Sequence, residues 1–181
     1  MDAPTAFRQQ LLGAIPRLRR YARSLVFDAS AADDLVQTAL ERALAHWHQF
    51  DQRRDILAWT LSIAHNAYMD DRRRHARMPI VEPHDAQSAA EDRHAAVSPD
   101  IGLRMDLVKA LAQLPIEQRE PLLLVTLEQF SYAECAELLR IPIGTVMSRI
   151  SRARVALRAQ LDGRAPHTIP NTAAHTLRRV V

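Results

Sequence analysis

Residues 145–154 read TVMSRISRAR and place three arginines, two serines and a threonine within ten positions. Guanidinium groups donate in pairs to guanine edges and to phosphates, and short hydroxyl side chains bond either bases or phosphate oxygens. Every third or fourth residue of the same stretch is apolar: Val146, Ile150, Ala153, Leu157 and Leu161 make the side that a helix would bury. Thr145, Met147, Ser148, Arg149, Ser151 and Arg152 are left to face a duplex, with Arg154 flanking them. Just upstream, SYAECAELLRIPIG supplies a small residue, Ala136, and then the turn IPIG at 141–144, where Gly144 and Thr145 can close the turn and cap the next helix. This is the layout of a helix-turn-helix. A plain helical hairpin with solvated arginines has the same spacing, so the stretch by itself leaves both readings open.

Other side chains with binding chemistry lie far from it. Asp34, Gln37 and Glu41 fall at i, i+3 and i+7, a polar stripe opposite Leu40 and Leu44, with Asp33 beside it. Arg72, Arg73 and Arg74 end an apolar helical segment, where they suit either phosphates or the helix dipole. His46 and His48 stand at i and i+2 and point apart, so with His65 and His75 they predict no metal site, and no cofactor is expected. There is no glycine-rich nucleotide loop, HExxH or paired-cysteine pattern, and no enzyme activity is expected. Cys135, the sole cysteine, excludes an internal disulfide, fits a reducing cytoplasm and reads as a buried, inert thiol.

The elements that must position these groups read as helices. Aromatics make up 5% of the chain and glycine only 4 of its 181 residues, which disfavours an all-β sandwich. A helix is predicted over FRQQLLGAIPRLRRYARSLV, with Pro16 as a kink or break, and a second from Ser30 as N-cap, with the core stripe Leu35/Val36, Ala39/Leu40, Ala43/Leu44 and Trp47. A third, from Ile56 to Arg77, is expected to bury Ile56, Trp59/Thr60, Ile63 and Ala67. Residues 78–100 carry three prolines and no period, so a mobile linker is expected; helix returns over 101–113 and then in the hairpin, and 162–181 reads as a frayed tail. The plan is all-α: modules at 1–77 and 101–161, joined flexibly. Residues 1–75 hold 11 arginines against 9 acids, residues 76–100 hold 2 against 5, and residues 101–161 hold 8 basic residues against 6 acids. Two basic blocks around an acidic strip suit a polyanion. No apolar run approaches the ~20 residues of a membrane span, and MDAPTAFRQQ lacks the layout of a signal peptide.

AADDLVQTALERALAHW, then AWTLSIAHNAYMDDRRR, then ALAQLPIEQREPLLLVTLEQFSYAECAELLRIPIGTVMSRISRAR resembles, in order and spacing, bacterial RNA polymerase sigma factors of the extracytoplasmic-function (ECF) group. The resemblance spans about 10–77 and 104–161. It implies a region 2-like bundle that binds the clamp helices of the large polymerase subunit and opens the −10 element, and a region 4-like helix-turn-helix that reads the −35 element. It implies that Asp33, Asp34, Gln37 and Glu41 dock on the clamp. Phe50, Arg53, Arg54, Ile56 and Asn66 match the family's positions around a pocket for a flipped base, and Arg72 and Arg73 become contacts to the duplex backbone. An anti-sigma protein is the implied regulator. This chain departs from the family at Met147, where Lys or Arg is usual, and at Arg140, where Gly is common and positive φ would be costly. A free-standing helix-turn-helix regulator and a sigma mimic that traps an anti-sigma protein are the competing readings.

Overall fold

The computed structural model describes residues 3–77 and 99–163; the expected linker up to 98 and the tail from 164 lie outside them. Helix α1, Thr5–Val26, buries Phe7, Leu11, Ala14, Leu18, Tyr21, Ala22 and Leu25, a stripe at steps of three and four. Pro16 sits inside α1, which continues through it, so it is not a break. The helix ends at Phe27, whose φ of 58° turns the chain out. Asp28, in extended geometry, then caps α2 (Ala29–Ala45) by accepting from the Ala31 N–H at 2.7 Å. The cap expected at Ser30 is therefore two residues too late: Ser30 already lies in the first turn. In α2, Leu35, Val36, Ala39 and Ala43 are buried, but Leu44 is 43% exposed and shares an open groove with Leu12 and Leu40.

Helix α3, Ile56–Arg77, packs on both α1 and α2. Its deepest line is Leu57, Thr60, Leu61, Ala64 and Ala67. Of the expected line, Thr60 and Ala67 are buried, whereas Ile56, Trp59 and Ile63 are half-buried, because they face a separate small cluster built on Phe7, Leu11, Ala43 and Phe50. Helix α3 thus carries two adjacent apolar stripes, and the expected line runs across both.

In the second half, α4 spans Pro99–Gln113, α5 Ile116–Thr126, α6 Tyr132–Leu139 and α7 Ile143–Asp162. Helix α4 begins at Pro99, two residues inside the expected linker. Ser131 and Glu134 form a reciprocal capping box at the start of α6. Arg140 ends α6 in the left-handed region at φ 54°, where an L side chain costs roughly 1 kcal/mol. Arg140→Gly is expected to raise stability by about 1 kcal/mol, read as a higher denaturant midpoint at unchanged slope; an unchanged or lower midpoint would show that the arginine carries no strain. Helix α7 starts after Pro142, with no side-chain cap, so the capping expected of Gly144 and Thr145 is not found: both already lie in the first turn.

The halves are not held apart. Leu18, Tyr21 and Leu25 of α1 and Leu57 and Leu61 of α3 belong to one apolar cluster with Leu124, Leu138, Val146 and Ile150. Helix α1 packs against α5 and α3 against α6. Among the described residues, no helix is long and apolar enough to cross a membrane.

Candidate nucleic-acid interface

Helices α6 and α7 meet through Cys135, Leu138, Leu139, Val146, Ile150 and Ala153, all buried, which fixes which side of α7 faces out. Leu157 and Leu161 are half-buried and continue the inner side. Met147, Ser151, Arg152 and Arg154 are exposed, and Thr145, Ser148 and Arg149 are half-exposed beside them. The Ser148 hydroxyl donates to the Thr145 carbonyl at 3.0 Å, leaving its lone pairs to accept from a base or water. Among the described residues, no ion pair engages Arg149 or Arg152. Their guanidinium donors are available to a nucleic acid. Met147, 52% exposed, puts an apolar contact in the same row, suited to a thymine methyl. The six residues expected here therefore lie together on one helix.

Burial pushes the Cys135 thiol up to about 12, and the nearby charge of Glu120 adds to the effect. It stays a thiol at neutral pH, and the reading of an inert core cysteine holds.

On α2, Asp33, Asp34, Gln37 and Glu41 are all exposed. Arg19 Nε donates to Asp33 Oδ1 at 3.0 Å, and Gln37 Nε2 to Glu41 Oε1 at 2.9 Å. They make one polar, mainly acidic face.

Around α3 the expected residues divide. The loop at 51–55 is a tight turn in which the Asp51 carboxylate accepts from the Arg53 N–H at 3.0 Å and the Asp51 carbonyl from the Arg54 N–H at 2.9 Å. Arg53 and Arg54 point outward, next to half-buried Ile56. Phe50 does not offer its face to a base. Its ring lies 5.2 Å from Trp59 and 5.7 Å from Phe7 and is buried, because the apolar side chain gains more from that aromatic cluster than from water. Asn66, half-buried, lies ten residues along the helix from Ile56, about 15 Å, so it stands well apart from the loop. Arg72 stands 3.9 Å from Glu117, and Arg73 3.7 Å from Asp70.

Several residues escaped the sequence reading. Arg42 of α2 pairs with Asp70 at 3.4 Å and completes a basic notch with Arg73, Arg74 and Arg77; no local pattern links α2 to the end of α3. Phe7 supports Phe50 and Trp59 from the first helix. Glu120 and Glu128 are buried carboxylates, each 2% exposed, with partners from α1 and α3. His65 is one of these partners. Tyr21, fully buried beside Glu120, has its hydroxyl held well above its usual range, first by burial and then by that carboxylate, so it remains a donor.

A family model described as sigma-70, region 4 matches residues 104–157, and one described as the sigma2 domain of PhyR matches residues 11–65. The ECF RNA polymerase sigma factor EcfG of Rhodopseudomonas palustris (strain TIE-1) is 37% identical over 163 residues, covering 89% of this chain and 88% of its own length. The chain belongs to the ECF sigma factors. The ECF sigma factor SigC of Mycobacterium tuberculosis (strain CDC 1551 / Oshkosh) is 35% identical over 141 residues, 75% of this sigma factor and 72% of that one. Among solved structures, the sigma factor RpoE in complex with the anti-sigma factor NepR from Bartonella quintana has a TM-score of 0.69 and 32% identity, and covers 88% of this sigma factor and 98% of RpoE. CnrH in complex with the cytosolic domain of CnrY follows at 0.64 and 26%, with 88% and 90% covered.

Proposed function

We propose that this ECF sigma factor joins core RNA polymerase and directs it to promoters. Residues 1–77 form the unit that binds polymerase and opens the −10 element, and residues 101–161 the unit that reads the −35 element. The carrying observation is α7: a row of outward donors without ion pairs among the described residues, on the second helix of a helix-turn-helix, in a chain that also holds a region 2-like bundle. Asp33, Asp34, Gln37 and Glu41 meet the clamp helices of the large subunit. Arg53, Arg54, Ile56 and Asn66 follow the separated strand, with Phe50 shaping the loop from inside, and Arg72 and Arg73 meet duplex phosphates. An anti-sigma protein restrains the whole; the complexes of RpoE with NepR and of CnrH with CnrY support this. The place of action is the cytoplasm, where the polymerase works.

A second reading draws on the match of residues 11–65 to the sigma2 domain of PhyR, which another structure describes as an anti-anti-sigma factor complexed with NepR. It makes the chain a decoy for an anti-sigma protein. Arg149 and Arg152, which no ion pair engages among the described residues, favour the promoter-reading function, since a decoy has no use for them. Run-off transcription with core polymerase and a promoter library separates the two. Transcripts that depend on this protein and share one −35 and one −10 sequence are expected. A protein that binds an anti-sigma partner tightly and yields no transcript is a decoy.

A further inference from the structure

The loop between Phe50 and α3 carries its own brace. Residues 51–55 read DQRRD, with no glycine or proline to set a turn. Burial fixes both ends: Phe50 before the loop is 8% exposed and Leu57 after it 3%. Between these anchors the chain folds back through a tight turn in which Asp51 supplies both acceptors. Its Oδ1 accepts from the Arg53 N–H at 3.0 Å, and its carbonyl from the Arg54 N–H at 2.9 Å. At the far end, Asp55 Oδ1 accepts from the Leu57 N–H at 2.8 Å and the Asp55 carbonyl from the Trp59 N–H at 3.1 Å. Asp55 is thereby the N-cap of α3. No residue of the loop has positive φ, so side-chain hydrogen bonds, and no special backbone, select this turn.

The charges sharpen the question of what Asp51 is for. Asp51, Arg53, Arg54 and Asp55 are all exposed, and their formal charges cancel. A loop whose only task was to attract phosphates would do better without the two acids. Asp55 is accounted for as a helix cap. Asp51 caps no helix, and both of its hydrogen bonds end on the backbone of the two arginines. An aspartate that bonds the N–H two residues on mimics a backbone turn and holds the residues beyond it in place. Without that bond the arginines would spread over many directions, and a DNA strand would have to order the loop as it bound.

We propose that Asp51 is a positioning residue for promoter opening: it braces the turn so that Arg53 and Arg54 stand ready for the separated strand. It acts through those arginines and does not itself touch DNA. In the promoter-reading role on which this rests, its acceptor atom matters and its charge does not.

Asp51→Ala and Asp51→Asn separate the two, since an asparagine Oδ1 accepts the same hydrogen bond. Asp51 is exposed and outside every helix, so neither change removes core. Holoenzyme carrying each full-length variant is compared with the wild type on a promoter found by run-off transcription. Opening is followed by permanganate reactivity of unpaired thymines, and −35 binding by footprinting. Asp51→Ala is expected to slow opening about 3- to 10-fold, the worth of one intramolecular hydrogen bond, with −35 binding unchanged. Asp51→Asn should open the promoter at least as fast as the wild type, and Asp51→Ser, whose hydroxyl makes the same turn more weakly, should fall between Asn and Ala. Equal losses in the Ala and Asn variants would tie the effect to the charge and overturn the brace. So would undiminished opening in Asp51→Ala, or a loss of −35 binding as large as its loss of opening. A wild type that drives no transcript fails the promoter-reading role itself, and the part given to Asp51 falls with it; the other failures leave that role standing.

Discussion

Arg152→Ala will lower transcription from this sigma factor's promoters by about 5- to 150-fold while leaving its affinity for core polymerase unchanged. The magnitude follows from the loss of one bidentate contact between arginine and a base, worth about 1–3 kcal/mol, with every 1.4 kcal/mol counting tenfold. Arg152 is exposed on α7 in the same outward row as Met147, Ser148 and Ser151, and no side chain has to be rebuilt when it is shortened. The loss should concentrate at one position of the −35 element. A library varied there should show discrimination collapsing in the variant, whereas Arg154→Ala, at the flank, should weaken all sequences alike. A deficit in Arg152→Ala that is equal for every −35 sequence would mean that the side chain holds only phosphate.

Phe7→Ala should cost about 3–5 kcal/mol of stability, the usual range for removing a buried aromatic ring. The ring is 6% exposed and touches two others, Phe50 at 5.7 Å and Trp59 at 6.0 Å between centroids. Little nearby can collapse into the space, since Leu11, Ala43 and Phe50 complete a small cluster of their own. The effect should extend beyond stability, because Phe50 leads directly into the loop that presents Arg53 and Arg54. Promoter opening, followed by permanganate reactivity of unpaired thymines, is expected to weaken at protein concentrations where −35 binding is saturated. A denaturation midpoint within about 1 kcal/mol of the wild type would show that α1 is dispensable to the aromatic cluster.

What could be read from the sequence depended on how different the two sides of each helix are. The outward row of α7 was legible because apolar residues return every three or four positions and most residues between them are polar, Met147 and Val155 excepted. The register of α3 was not, because Ile56, Trp59 and Ile63 look as good a core stripe as Leu57, Leu61 and Ala64, and the fold uses both. The start of α2 turned on two residues able to cap, Asp28 and Ser30, and the choice was made by the left-handed turn at Phe27, which no local rule announces. That the Phe50 ring turns inward was not legible, because Phe7, which packs on it, comes from the far end of the first three helices. The buried carboxylates were invisible for a simpler reason: the partners of Glu120 and Glu128 on α1 lie 99–111 residues away, beyond any periodicity.

That separation also sets a clock. Arg17 and Arg20 are synthesised 111 and 108 residues before Glu128. Helix α3 ends at Arg77, 51 residues before Glu128; at about 5–20 residues per second on the ribosome, the first three helices are complete for roughly 2.5–10 s before the carboxylate they pair with has been made. Every newly born copy therefore passes through an interval in which its first three helices are complete while Glu128, their partner, does not yet exist. A bacterium that must keep such a protein silent needs either a restraint that can act on the nascent chain or a rate of synthesis low enough for those seconds not to matter.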